Sequence, residues 1–105
     1  MTQALEQQIE AEMETLRKKV GNQALRLRPE GNRRSEAIVE AMYSKKILAD
    51  RYAQGRASWM NIITTSVAEV FAEDERDLVI DQLVKLSAAT RLMLESLDKR
   101  RRKAE

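Results

Sequence analysis

The fold is decided by residues 74–103, which read DERDLVIDQLVKLSAATRLMLESLDKRRRK. The apolar residues in this stretch recur at alternating spacings of four and three, which places them in one continuous stripe along an α-helix. Acidic side chains open the stretch and basic ones close it, so both ends complement the helix macrodipole. Because an isolated helix of this kind gains its stability from packing, we expect its stripe to meet a partner in this chain or in a second chain. The stripe comprises Val79, Leu83, Leu86, Thr90, Met93 and Leu97.

The composition of the 105-residue chain favours a single all-α domain. Three glycines and one proline are too few for the frequent turns of an all-β fold. Good helix formers, above all Ala, Glu, Leu, Lys and Arg, dominate instead. We therefore predict a bundle of about four helices at roughly residues 2–20, 35–54, 58–72 and 74–101, an irregular segment at 22–34, and a basic C-terminal tail at 99–103.

Side chains that cap helices support these boundaries. Small polar residues precede three of the predicted helices, where their oxygens can accept backbone N–H groups. Glycines follow two of them, where helices commonly end. The candidate N-caps are Thr2, then Asn32 or Ser35, then Ser58, and the candidate C-terminal glycines are Gly21 and Gly55.

The apolar pattern also predicts how the helices pack. The second helix is apolar on two adjacent faces, which is typical of a helix that lies between two others. The first and fourth helices are long for a compact core, so we expect a homodimer that pairs one or both of them. Trp59, the only tryptophan, is a candidate interface anchor. The predicted interface residues are thus Trp59, Val79, Leu83, Leu86, Met93 and Leu97.

The chain contains no cysteine and no histidine, and this limits its chemistry. Disulfides, structural zinc sites, and nucleophile systems built on cysteine or histidine are excluded. No apolar run reaches the length of a membrane span, and no signal-peptide core is visible near the N-terminus. We expect a soluble cytoplasmic protein without a cofactor or a metal.

The polar residues of the third helix are predicted to have a structural role. Residues 64–66, Thr-Thr-Ser, form a polar patch on the third helix. We expect their hydroxyls to bond back to the preceding turn or to solvent, and not to form a site.

Basic residues cluster in two places although the net charge is only +2. Arginine in particular suits bidentate recognition of phosphate or carboxylate. The tail lacks interleaved aromatic residues, so stacking on single-stranded bases is not supported. The candidate nucleic-acid or anion-binding residues are Arg26, Arg28, Arg33 and Arg34 in the irregular segment, and Arg100, Arg101 and Arg102 in the tail.

Two short stretches resemble parts of the ribbon-helix-helix repressors. Residues 25–29, Leu-Arg-Leu-Arg-Pro, resemble their strand, and residues 55–58, Gly-Arg-Ala-Ser, resemble the turn and cap before their second helix. The resemblance implies that strands of two chains pair, that Arg26 and Arg28 read the major groove, and that Ser58 contacts a phosphate. The stretch between Pro29 and Gly55 is too long for that family's first helix, and a full helix precedes the strand. Residues 23–28 stay open as strand, loop or helix end.

Arg17, Lys18 and Arg51 also prompt comparison with the helical chorismate mutases, which bind a dianion with basic residues on intertwined helices. The spaced pattern of that family is missing, so we expect no enzyme. We predict a small regulatory or adaptor protein that acts through a helical protein–protein interface as a homodimer. The alternative is a dimeric regulator or accessory factor that binds duplex DNA through residues 26–34.

Overall fold

The computed structural model describes residues 2–28 and 33–104. It contains four helices and, within those two ranges, no strand, which confirms the predicted all-α class. Residues 23–28 are irregular, and residues 29–32 of the predicted irregular segment lie outside the described ranges. The helices are α1, Gln3–Val20; α2, Arg34–Ala53; α3, Trp59–Ala72; and α4, Arg76–Ala104.

The chain divides into two compact units, residues 1–32 and residues 33–105. The first unit holds α1 and the irregular segment, and the second holds α2, α3 and α4. A single domain that spans both units stays a prediction.

Within the first unit, α1 is closed at both ends as its sequence predicts. The Thr2 hydroxyl oxygen accepts the N–H of Leu5 over 3.3 Å, which satisfies one of the unpaired donors of the first turn. Gly21 follows the helix with a φ of +57°, and its N–H donates to the carbonyl of Arg17 over 2.9 Å. Glycine suits this position because other residues are strained at positive φ.

The start of α2 differs from the prediction, whereas its end agrees. Arg33 is the N-cap and its side chain makes no capping bond. Of the two predicted caps, Ser35 is wrong because it lies inside the first turn, and Asn32 lies outside the described residues. At the other end Gly55 has a φ of +67° and its N–H donates to the Tyr52 carbonyl, while Arg56 N–H reaches the Arg51 carbonyl over 2.8 Å. This pair of bonds is the Schellman arrangement that ends many helices.

A capping box fixes the start of α3. The Ser58 hydroxyl oxygen accepts the N–H of Asn61 over 3.1 Å, and the Asn61 side-chain oxygen accepts the N–H of Ser58 over 3.1 Å. Both bonds satisfy N–H groups that a helix start leaves unpaired. Ser58 is therefore confirmed as the cap of this helix.

The middle helix of the second unit is α3, which packs against both α2 and α4. Among the described residues, α2 and α4 do not contact each other. The prediction that α2 lies between two helices of this unit is therefore wrong. The reason is that α3 carries one charged residue, Glu69, in 14 positions and has apolar residues on more than one side. The second apolar face of α2 stays exposed.

Helix α4 is much longer than the helix on which it packs. It has 29 residues against 14 in α3, which correspond to about 44 Å and about 21 Å at the α-helical rise. It begins at Arg76, two residues after the predicted start. The C-terminal half of α4 therefore extends beyond the length that α3 alone can cover.

Candidate interaction surfaces

Few side chains of the described chain are removed from solvent. The buried hydrophobic residues are Leu5, Ala41 and Val79, and no large side chain in the described ranges is fully buried. Folded domains normally fill their interiors with such side chains at close packing. Regularly spaced apolar residues here stay exposed, and three outward helix faces of the second unit hold many of them.

The outward face of α2 carries Val39, Met42 and Tyr43, all exposed. Their spacing of three and four residues places them on one side of the helix. Ala41 is buried and Ser44 and Leu48 are half-buried, so the opposite side meets α3.

The third side of α3, which neither neighbour covers, carries Met60, Thr64 and Phe71. Met60 is 66% exposed and Phe71 is 61% exposed, although they are among the largest apolar residues of the unit. The two residues are eleven positions apart, which is about three turns, so both side chains lie on one face. An aromatic residue and a methionine on such a face are typical of protein–protein contact surfaces.

A hydroxyl links the opposite side of α3 to α2. Thr65 is only 5% exposed. Its Oγ1 lies 2.8 Å from the carbonyl of Asn61 in the preceding turn and 3.3 Å from the carbonyl of Ser44 on α2. The expectation that this hydroxyl bonds back to the preceding turn is confirmed, and the contact with α2 is an addition to it.

The predicted stripe on α4 is divided by the structure. Val79 is 6% exposed, and Leu86 and Met93 are half-buried, so part of the stripe faces its neighbour α3. Leu83 and Leu97 are exposed. Trp59, the predicted anchor, is half-buried at the first position of α3.

Four exposed apolar residues of α4 lie outside the predicted stripe and were not predicted from the sequence. They are Leu78, Ile80, Val84 and Leu92, and Val84 is 63% exposed. The signal was present in the sequence, because apolar residues of this helix cover an arc wider than one stripe. A second stripe read beside the first would have found them.

Several of the predicted anion-binding arginines instead bind groups of the protein. The Nε of Arg34 donates to the carbonyl of Ala72 over 2.9 Å. On α4, Arg101 and Arg102 contact the two oxygens of the Asp98 carboxylate at 2.8 Å and 3.2 Å, and Asp98 is only 6% exposed. These contacts place the charge of both arginines beside a carboxylate.

The remaining candidates are not gathered into one patch within the second unit. Arg33 and Arg100 are exposed. Arg34 bonds to the end of α3, whereas Arg100 lies 24 residues along α4, which is about 36 Å from its start. In the first unit, Arg26 is exposed and Arg28 is half-buried, both on the irregular segment.

Helix α1 carries a set of ion pairs centred on Arg17 and, at its end, an open groove. The guanidinium of Arg17 donates to the carboxylates of Glu10 and Glu14, both at 2.9 Å, and the bond to Glu10, followed by the bond to Glu14, raises the pKa of Arg17 above its usual value. An open groove of about 350 Å³ lies beside this residue at the end of the helix. It is lined by Met13, Leu16, Arg17, Val20 and Gly21.

Comparison with known proteins gives no relative: the sequence matches no family model, and no curated protein or solved structure is significantly similar to it. Within the described ranges, no helix is both long and apolar enough to cross a membrane. The same residues include no group of three or more His, Cys, Asp or Glu side chains placed to hold a metal ion.

Proposed function

We propose that this chain is a small non-enzymatic adaptor or regulatory protein that binds a protein partner through a helical surface and acts as a homodimer. The observation that carries the proposal is the uncovered face of α3, where Met60 and Phe71 stay largely exposed on the most apolar helix of the chain. A helix with apolar residues on more than two sides normally has more than two sides covered.

Burial supplies the driving force for such binding. Fully covering a side chain such as Phe or Met is worth about 1.5–3 kcal/mol. Aromatic side chains at the centre of an interface commonly carry much of the binding energy. We therefore assign Phe71, near the end of α3, as the anchor of the partner-binding face. Met60, near the start of α3, supplies a second apolar contact on the same face.

Photo-crosslinking tests this assignment. A photoreactive amino acid is placed at Phe71 in one variant and at Gln54 in the control, because Gln54 is exposed at the end of α2, outside the apolar faces. In the native cell we expect one discrete adduct from position 71, reproduced in the purified complex, and no such adduct from position 54. An equal pattern from both positions, or adducts with no defined protein, would overturn the proposed surface.

Self-association is the second part of the proposal. The support is that α2 and α4 each keep a regularly spaced apolar face in solvent. Sedimentation equilibrium over about a hundredfold range of concentration should show a monomer–dimer equilibrium, and Tm should rise with concentration because folding is linked to assembly. A monomer of constant Tm throughout that range would contradict the homodimer.

Binding to duplex DNA is the second candidate function. It is favoured by the exposed Lys99, Arg100 and Lys103 at the end of α4, for which the described part of the chain provides no ion pair. Contacts with phosphates make affinity fall steeply as salt rises. Replacing both Arg26 and Arg28 with alanine should abolish sequence-dependent binding, and unchanged duplex affinity in that variant would refute the role of these arginines.

A further inference from the structure

Helix α1 carries an apolar stripe without a second helix in its own unit to pack on it. Among its described residues the first unit contains one helix. The stripe consists of Ile9, Met13, Leu16 and Val20, and it follows the buried Leu5 by one turn. Met13 and Leu16 are 45% and 61% exposed, and both line the open groove at the end of the helix. Because helices in proteins gain most of their stability from packing, α1 would be stabilised by a partner that covers this stripe.

The charges of α1 are divided between its two halves. Residues 3–14 contain four acids and no base, whereas residues 15–20 contain three bases and no acid. Two antiparallel copies of α1 therefore bring an acidic half against a basic half at both ends. Parallel copies bring like halves together, and like charges in close contact disfavour association. The acids are Glu6, Glu10, Glu12 and Glu14, and the bases are Arg17, Lys18 and Lys19.

The stripe also has the symmetry that such a pairing requires. Its spacings of four, three and four residues read the same from both ends, with the centre between residues 14 and 15. We infer that α1 pairs with α1 of a second copy of this chain in antiparallel orientation, with the two-fold axis at this centre. Ile9 then meets Val20 of the partner subunit, and Met13 meets Leu16 of the partner subunit. The inference rests on the homodimer of the proposed function and specifies its seam.

Acids meet bases along both borders of this seam. Glu10 and Arg17 each follow a residue of the stripe by one position and border one side of it. Glu12 and Lys19 each precede a residue of the stripe and border the other side. A two-fold axis sets the same border of both helices side by side, so each contact occurs twice. Glu10 then lies beside Arg17 of the partner subunit, and Glu12 lies beside Lys19 of the partner subunit.

The other three charged residues of α1 add no contact between like charges. Glu14 and Lys18 lie on the side of the helix away from the stripe. Glu6 comes level with Gln23 of the partner subunit, which is uncharged. The charges of the whole helix are therefore compatible with the antiparallel arrangement.

The bordering side chains are placed to form these ion pairs. Glu12 and Lys19 are exposed, and neither forms an ion pair with a described residue of its own chain. Arg17 donates from Nη1 to its own Glu10 and Glu14, and a guanidinium carries donors on two further nitrogens that suit a third acceptor. Exposed ion pairs contribute little affinity, so they select the orientation while the apolar stripe supplies the attraction.

Single-cysteine crosslinking tests the seam because the chain contains no cysteine. I9C mixed with a size-tagged V20C chain should give a disulfide-linked mixed dimer on mild oxidation. I9C alone and V20C alone should give none, since equivalent residues are eleven positions, or about 16 Å, apart along the helix, beyond disulfide reach. I9C mixed with K18C is the matched control, because Lys18 lies away from the stripe, and it should give no mixed dimer.

The outcomes separate this inference from the proposal on which it rests. Disulfide dimers of I9C alone and of V20C alone would establish a parallel pair and overturn the inference. A dimer of the unmodified chain in sedimentation, without the mixed disulfide, would place the seam on another face, so the homodimer would stand and the inference would fall. A monomer in sedimentation would refute both.

Charge reversal at the border gives an independent readout. E12K and K19E should each raise the dimer Kd about threefold to tenfold at low salt, because each places like charges together at two points of the seam. An equal mixture of the two variants should recover the original Kd, since every such contact between the two chains again joins an acid to a base. Mixing leaves the stability of each separate helix unchanged, so a mixture that does not recover would overturn the pairing.

Discussion

The Nε of Arg34 donates to the carbonyl oxygen of Ala72 over 2.9 Å and so joins the first residue of α2 to the last residue of α3. The last carbonyls of a helix have no partner within the helix, and a cation at that end complements the macrodipole. An arginine that the sequence marks as a candidate anion-binding residue therefore binds a backbone acceptor of its own unit.

Replacing Arg34 with alanine should lower the free energy of unfolding by about 0.5–1.5 kcal/mol, because a charge-assisted bond to a helix end is lost at an exposed position. Urea unfolding followed by circular dichroism measures the change. Arg33→Ala is the matched control, since Arg33 is exposed and makes no capping bond. Equal losses in both variants would mean that the Arg34–Ala72 bond contributes nothing specific.

Replacing Thr65 with valine should destabilise the second unit by about 1 kcal/mol. Valine keeps the shape of threonine but removes the hydroxyl that lies near the carbonyls of Asn61 and Ser44. Thr64→Val at the exposed neighbouring position should be close to neutral, and Thr65→Ser should retain most of the stability. If Thr65→Ser and Thr65→Val behave alike, packing and not hydrogen bonding governs this position.

The capping box of α3 should behave as one unit. Ser58→Ala should cost about 1 kcal/mol, since the first turn of α3 then loses its side-chain acceptor. Asn61→Ala should also destabilise, but the double variant should cost clearly less than the sum of the two, because either change disrupts the reciprocal pair. Thermal unfolding of the four chains gives this coupling, and strictly additive losses would argue against it.

Replacing Asp98 with asparagine should strengthen nonspecific binding to duplex DNA. The change removes the carboxylate that pairs with Arg101 and Arg102 and leaves both guanidinium groups without a charged partner among the described residues. We expect affinity at low salt to rise several-fold and the salt dependence to steepen. Glu12→Gln, which makes the same change of net charge at an exposed position on α1, is the control. Equal affinities for the two variants would show that the α4 tail does not contact phosphates.

Stability should change little between pH 6 and pH 8. Histidine is the side chain whose ordinary pKa falls in this range, and the chain has none. The pKa of Arg17 is raised, so its contribution is fully present below the pKa of the unfolded chain and is lost only as pH rises through the higher folded pKa, in strong alkali. Urea midpoints at pH 6, 7 and 8 should coincide, and a sloping series would point to another titrating group in this range.

Local signals in the sequence predict the helices well because they depend on neighbours in the chain. Thr2 and Ser58 accept backbone N–H groups three residues ahead of them, and Gly21 and Gly55 take the positive φ that follows a helix. Each of these features needs only a few consecutive residues. The all-α class follows from the same short-range information.

The order in which the helices pack could not be predicted from the apolar stripe of each helix taken alone. α2 has two apolar faces and suggests a middle helix, but α3, with one charge in 14 residues, competes for that position and occupies it. The hydrogen bond from Arg34 to the Ala72 carbonyl could not be predicted either, since the two residues are 38 positions apart in the chain. Exposed apolar faces such as that of Met60 and Phe71 appear only once the covered faces are known.

The position of α3 between two helices that do not contact each other, within the described part of the unit, makes the three helices a series of two contacts. No third contact closes the series, so α2 and α4 have no direct mechanical connection. Within the described part of the unit, a displacement of α2 can therefore reach α4 only through α3.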